Sequence, residues 1–175
     1  MKRPPEFSRP FDIRALPRQP ITLEADASER AALAERFAIV AITSLSATAT
    51  FAENQATIDV TGKLSAQLAQ NCAISGEDFP TRVSNSFHLR FVPHAEYAAM
   101  IAASGDEFEL APGDLDTIAY KGGSIDLGEA IAQTLALEID PYAEGPQAED
   151  ARETYGLTAP EAVGPFAALK GLKGS

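Results

Sequence analysis

The sequence is poor in the residues that crosslink or catalyse: it has one cysteine, two histidines and no tryptophan among 175 residues. A single cysteine excludes an intramolecular disulfide, which fits a reducing compartment. The two histidines stand in none of the motifs typical of serine hydrolases, zinc proteases or P-loop nucleotide-binding proteins. We therefore assign no catalytic residue and expect no cofactor.

Long apolar runs are also missing. The longest, residues 37–42, is far too short to cross a bilayer, and residues 1–7 are charged and proline-rich with no apolar stretch behind them. No pattern indicates a small-molecule substrate. We expect a soluble, cytoplasmic protein that has no membrane partner.

Basic residues are scarce, since 14 Lys and Arg face 25 Asp and Glu for a net charge of −11. Proteins that bind a phosphate backbone usually carry a basic patch, so this balance disfavours tight RNA binding by the body of the protein. The first eighteen residues are the exception, because they include Arg3, Arg9, Arg14 and Arg18. A basic arm could therefore touch RNA locally, and simple solubility is the other explanation of the charge.

Length and composition set the domain organisation. A chain of 175 residues with 45% hydrophobic residues supports one domain with a real core. We predict a proline-rich basic arm over residues 1–20, a single domain over residues 21–142 and an acidic tail over residues 143–175.

A helix is predicted to begin near Leu127. Asp126 stands where an N-cap residue accepts from the first-turn amides, and Glu129 completes the pattern of a capping box. Apolar residues then recur at helical spacing until Pro141 ends the run. An equivalent Asp-x-x-Glu pair predicts a second helix over about residues 27–37.

Between these helices the hydrophobic period changes to two. Residues 42–51, 58–68 and 83–91 alternate between apolar and polar side chains and are separated by turn sequences. The sequence therefore predicts an α+β domain. Its antiparallel sheet has three or more strands, two main helices cover it, and the N- and C-terminal arms are extended.

Weaker patterns complete this prediction. They favour a short helix over residues 94–103, small strands at residues 107–110 and 117–120, and an edge strand or ordered arm at residues 11–16. Residues 142–164 contain too few large apolar side chains to bury themselves. We expect this last segment to be extended or partly disordered.

Three motifs stand in order over residues 72–173. The motif positions are Cys72, Ser75 and Phe79 in a CAISGEDF turn, Ile125, Asp126, Leu127 and Pro141 in and after the central helix, and Pro165 and Phe166 in the closing GPFAALKGLK. Together the motifs resemble the YceD family of large ribosomal RNA subunit accumulation proteins. The resemblance implies a non-enzymatic role in the accumulation of 23S rRNA and in biogenesis of the large ribosomal subunit.

One motif departs from the family pattern, whose Cys-x-x-Cys turn suggests a metal site in members that keep later cysteines. Here Ser75 replaces the second cysteine, and Cys72, His88 and His94 supply only three soft ligands. We expect no metal, with Cys72 as a small buried residue and Phe79 anchoring the turn. A thiol-dependent hydrolase that uses Cys72 with a histidine is the minor enzymatic alternative.

The charge suggests how the implied role is exercised. An acidic body complements a basic ribosomal or assembly protein. We expect the acidic segment at residues 138–161 to supply charge, and the apolar stripe of Phe166, Leu169 and Leu172 to supply an anchor. The candidate contact residues are Glu144, Glu149, Asp150, Glu153, Phe166, Leu169 and Leu172. Direct rRNA binding through the arm is the rival hypothesis. In a third interpretation the tail has no binding role: it is a solvated spacer, and its apolar stripe folds back onto the core.

Overall fold

The computed structural model describes residues 6–103 and 117–157. These residues form two compact units. Unit 1 contains residues 6–70, 80–103 and 117–140, and unit 2 contains residues 71–79 and 141–157.

A five-stranded sheet with the order β2-β3-β4-β5-β6 is the main element. The strands of the fold are β1 Pro10–Asp12, β2 Ile21–Glu24, β3 Ala41–Asn54, β4 Thr57–Asn71, β5 Asp78–Pro93, β6 Thr117–Tyr120 and β7 Ser124–Asp126. Strand β3 is antiparallel to β2 and β4, whereas β6 is parallel to β5. Strands β1 and β7 form a separate antiparallel pair.

The described helices are α1 Ala27–Phe37, α2 His94–Ala103, α3 Leu127–Glu138 and α4 Ala148–Thr154. Helix α1 begins with the predicted capping box, because the Asp26 side chain accepts from the Glu29 N–H and the Glu29 side chain accepts from the Asp26 N–H. Helix α3 has only the first half of its predicted box. Asp126 accepts from the Glu129 N–H, but the Glu129 carboxylate is held by Arg36 instead.

The core of unit 1 lies on one face of the sheet. The alternate residues Val60, Leu64 and Leu68 of β4 are almost fully buried, in the same cluster as Leu33 of α1 and Ile131 of α3. Burying each such side chain contributes about 2 kcal/mol to the stability of the folded state. The period-two pattern of the strands and the period-3.6 pattern of the helices therefore each identify residues of the same core.

The α+β class is confirmed, and two details differ from the prediction. The sheet is mixed, because β6 returns parallel to β5, and a four-residue strand pattern carries no information about direction. Helix α4 lies within residues 142–164, which were predicted to be extended or partly disordered. That prediction counted large apolar residues, whereas α4 buries the small side chains of Ala148 and Ala151. The strand predicted at residues 107–110 lies outside the described residues.

Candidate functional site

Unit 2 begins with a tight turn that holds the single cysteine of the chain. The Cys72 N–H donates to the Glu77 carbonyl at 2.8 Å, and the Gly76 N–H donates back to the Cys72 carbonyl at 2.9 Å. Gly76 has a φ of +73°, a conformation that residues with a Cβ rarely adopt. Ser75 ties the turn together, because its hydroxyl accepts from the Glu77 N–H at 3.2 Å.

The loop after Pro141 packs against this turn. The Ala73 N–H donates to the Ala143 carbonyl at 3.0 Å, and Cys72, Phe79 and Ala148 form a small buried cluster. A Cβ at Gly145 would lie 3.0 Å from the Phe79 ring, so a larger residue there would require the ring to shift slightly. Cys72 is thus buried and Phe79 anchors the turn in the core of unit 2.

Hydrogen-bond donors surround the Cys72 sulfur. The Ser75 N–H lies 3.4 Å from Sγ. The Ser75 hydroxyl, followed by the backbone N–H groups of Ser75, Gly145 and Ile74, lowers the pKa of Cys72 to about 7 against the opposing effect of desolvation. The thiolate is stabilised electrostatically, and only 3% of the residue is exposed.

The described residues place no histidine beside Cys72 to support the hydrolase alternative. The His88 Nε2 atom lies 3.1 Å from the Asp59 carboxylate on the sheet of unit 1, and the described groups that hydrogen-bond the Cys72 sulfur include no histidine. Within residues 6–103 and 117–157, no group of three or more His, Cys, Asp or Glu side chains is placed to hold a metal ion.

Helix α4 presents the acidic residues of unit 2. Arg152 forms ion pairs with Glu144 and with Glu149, the latter at 3.1 Å. The side chains of Asp150 and Glu153 have no ion pair with a described residue. Two of the four predicted acidic contact residues are therefore paired with one arginine, and the other two have no ion pair with a described residue.

A shallow cleft of about 290 Å³ lies beside these carboxylates. Ser75, Glu77 and Gln147 line it together with Asp150 and Tyr155. Large apolar side chains are exposed next to the helix, with Tyr155 62% and Leu157 57% accessible. We call Glu77, Asp150, Glu153, Tyr155 and Leu157 the acidic surface of unit 2.

Asp150 and Glu153 of this surface were predicted from the sequence, whereas Glu77, Tyr155 and Leu157 were not. Tyr155 and Leu157 follow a helix that was not predicted, so nothing placed them beside Asp150. In the sequence, the only indication that they belong to this surface is their position just after the seven acidic-rich residues of α4. The predicted anchors Phe166, Leu169 and Leu172, together with Pro165, lie outside the described residues.

The other predicted positions within the described residues are Ile125, Asp126 and Leu127 in unit 1, and Pro141, which begins the second segment of unit 2. Ile125 and Leu127 are 2% and 0% exposed and belong to the core, so they support the fold. The Asp126 carboxylate accepts from the Arg9 N–H at 2.8 Å and from the Ser8 hydroxyl at 2.6 Å, which fixes the N-terminal arm to the start of α3. The buried Phe7 ring beneath the Arg9 guanidinium completes this attachment.

The basic residues of the arm are largely engaged within unit 1. Arg9 makes two hydrogen bonds to the Glu29 carboxylate, at 2.6 and 2.9 Å, and Arg14 pairs with Asp12 at 2.8 Å. Arg18 is exposed on the surface of the arm, and Arg3 lies outside the described residues. Within the described arm, two of the three arginines proposed for RNA contact are thus already paired with carboxylates.

None of the described helices is long and apolar enough to cross a membrane. Comparison with curated proteins and with solved structures gives no match. Comparison with protein families matches residues 60–173 to the family described as Large ribosomal RNA subunit accumulation protein YceD. The matched range contains the Cys72 turn, helix α3 and helix α4, so it takes in the core of the sheet as well as the acidic surface. The chain therefore belongs to the YceD family.

Proposed function

We propose that the protein is a non-enzymatic factor in large-subunit ribosomal RNA accumulation that binds a basic ribosomal or assembly protein in the cytoplasm. Membership of the YceD family supports the general role. The acidic surface of unit 2 supports the kind of partner. It combines carboxylates that lack an ion pair within the described residues with exposed apolar side chains on one short segment.

The observation that carries the proposal is the position of Asp150 and Tyr155 on one cleft. A carboxylate beside an aromatic ring suits a Lys or Arg side chain, which gains a charge-assisted hydrogen bond and a cation–π contact. Tyr155 and Leu157 add apolar area, and interface hot spots are enriched in tyrosine. Ribosomal proteins are rich in Lys and Arg, so this surface complements them in charge.

The absence of an enzymatic role is also part of the proposal. Cys72 has a stabilised thiolate, yet it is buried, and the described groups that bond its sulfur include no histidine. A nucleophile needs an adjacent base or an open approach for substrate. The donors around Sγ belong to the tight turn and to the loop that packs against it, so the structure of unit 2 accounts for them.

A binding experiment with purified components tests the proposal. The full chain is immobilised and incubated with ribonuclease-treated large-subunit ribosomal proteins, and the retained proteins are identified. We expect one or a few basic proteins to be retained by the wild type and lost by Asp150→Asn/Glu153→Gln and by Tyr155→Ala.

The matched control is Glu35→Gln/Glu53→Gln, which removes the same charge from exposed positions of unit 1. Retention of the partner by this control, together with its loss in the unit 2 variants, would support the acidic surface. Equal loss in both double variants would show that only bulk charge matters, and the proposed surface would be wrong.

A further inference from the structure

Two large apolar side chains are exposed where helix α4 ends, on a backbone that is held in place. Tyr155 and Leu157 are 62% and 57% accessible. Gly156 between them has a φ of +65°, its N–H donates to the Glu153 carbonyl at 3.2 Å, and the Leu157 N–H donates to the Arg152 carbonyl at 2.8 Å. This pair of hydrogen bonds is the Schellman ending of a helix. The two side chains are thus fixed at their backbone and uncovered at their tips.

The charge around these side chains restricts what can cover them. The described residues of unit 2 include six Asp and Glu and one arginine, a net charge of −5. Glu77 and Asp150 line the same cleft as Tyr155, and Glu153 lies on the last turn of α4. These three carboxylates have no ion pair with a described residue. A group that covers Tyr155 and Leu157 must therefore be apolar and must also bring positive charge.

The sequence that follows Leu157 contains such a group. Residues 164–173, GPFAALKGLK, include two of the five lysines of the chain and no Asp or Glu. Lys170 and Lys173 follow Phe166 by four and seven positions, the spacing that places side chains on one face of a helix. The segment therefore combines an aromatic anchor with two cations that suit the carboxylates of the acidic surface.

The point at which the described chain leaves unit 2 makes this contact possible within one molecule. Leu157 belongs to the acidic surface, and eight residues separate it from Phe166. Eight residues span up to about 28 Å when extended. Helix α4 has seven residues, so its length is only about 10 Å. A tether of this length gives an effective concentration on the order of 1 mM.

We propose that residues 164–173 dock on the acidic surface of unit 2 of the same molecule and that a basic partner must displace them. Phe166 covers Tyr155 and Leu157, and the two lysines lie beside the carboxylates. The competition rests on the proposed function, whereas the docking itself does not. It also reverses the expected role of Phe166, which becomes an anchor for the chain itself and not for the partner.

Carbodiimide coupling of the full chain at low concentration tests the docking, because it joins only amines and carboxylates that are in contact. Crosslinked monomers are separated from dimers, digested and identified by mass spectrometry. We expect Lys170 or Lys173 to be joined to Glu77, Asp150 or Glu153. The exposed lysines of unit 1, Lys63 and Lys121, measure the background of chance encounters.

Binding of a fluorescein-labelled oligo-arginine peptide tests the competition. Lys170→Gln/Lys173→Gln is expected to bind the peptide about tenfold more tightly than the wild type, if the segment binds the surface with a dissociation constant about tenfold below its effective concentration. Lys63→Gln/Lys121→Gln is the matched control, because it removes the same charge from unit 1. The control should bind like the wild type.

The expected crosslinks within monomers, with tighter peptide binding in the Lys170→Gln/Lys173→Gln variant alone, support the proposal. Crosslinks no more frequent than those of Lys63 and Lys121 overturn it, and so do crosslinks confined to dimers, which assign the surface to a second copy of the chain. Unchanged or weaker peptide binding by the same variant overturns it as well, because the segment would not compete. Failure of the proposed function would appear separately, as a wild type that retains no ribosomal protein.

Discussion

The Arg36 guanidinium on α1 makes two hydrogen bonds of 2.9 Å to the Glu129 carboxylate on α3, 93 residues further along the chain. The same guanidinium donates to Glu6 at 3.0 Å. One arginine thereby joins both main helices of unit 1 and the N-terminal arm. The Glu129 and Glu6 carboxylates raise the pKa of Arg36, so it stays charged.

Removing this arginine is expected to destabilise unit 1. In Arg36→Gln the carboxylates of Glu6 and Glu129, whose side chains are only 15% and 24% exposed, lose their partner. We expect the free energy of unfolding to fall by about 2 kcal/mol, measured by urea denaturation. Arg14→Gln is the control, because the Arg14–Asp12 pair is largely exposed and should contribute nothing measurable. Equal effects of the two substitutions would mean that Arg36 is merely a surface residue.

The second prediction concerns the contact between the N-terminal arm and α3. A Cβ at Gly128 would lie 2.6 Å from the Phe7 carbonyl oxygen and 2.8 Å from the Arg9 nitrogen, so Gly128→Ala must displace the arm. Alanine favours a helix by about 1 kcal/mol over glycine. We nevertheless expect the free energy of unfolding to fall by about 2 kcal/mol, because the backbone atoms of the arm must be displaced to make room for the Cβ.

Limited trypsin digestion gives a second readout of the same change. Cleavage after Arg14 should become faster in Gly128→Ala. Gly123→Ala is the control, because a Cβ there meets no atom within 4 Å. Unchanged stability and digestion in Gly128→Ala would contradict the close packing of the arm.

The third prediction is a pH dependence that originates at Cys72. Its folded-state pKa of about 7 lies below the ordinary value of 9.0, because Ser75 stabilises the thiolate. Between these values the unfolded chain binds more protons than the folded one, so stability should rise as pH increases from 7 to 9 and be lost as pH falls through 7. Ultraviolet absorbance of the thiolate would follow the titration.

Ser75→Ala should move that titration upward, and Cys72→Ser should remove it together with its contribution to the pH dependence of stability. Alkylation of the folded protein should nevertheless be slow, because Cys72 is 3% exposed and reagent must wait for local opening. Rapid alkylation near neutral pH would instead revive the thiol-hydrolase alternative.

The sequence predicts the parts of this fold that depend on local periodicity. Helix α1 has the bounds predicted from Asp26 and the apolar rhythm after it, and β3 and β4 follow their period-two alternation. The partner of Glu129 was not predictable, because a capping box is a local pattern whereas Arg36 reaches Glu129 only through tertiary packing.

The candidate surface illustrates the same limit. The carboxylates of α4 are visible in the sequence, but Tyr155 joins Asp150 at one cleft only because a short helix buries Ala148 and Ala151.

The last prediction concerns metal. Cys72 is the only thiol in the chain, and Ser75 stands where a second cysteine would be needed. The N–H groups that surround the Cys72 sulfur already stabilise it without a cation. We expect protein purified without a histidine tag to contain well below one zinc per chain, and its melting temperature to be unchanged by a chelator.

Wild type and Cys72→Ala should give the same response to the chelator, because a structural zinc site needs four ligands and the thiolate supplies only one. A metal that binds the folded state would raise the melting temperature by an amount that grows with its affinity, so chelation would lower it in the wild type alone. Stoichiometric zinc that disappears in Cys72→Ala would therefore show that oxygen or nitrogen ligands complete a site around this sulfur. Without such a signal, the turn is held by the Ser75 hydrogen bonds and by burial of Phe79.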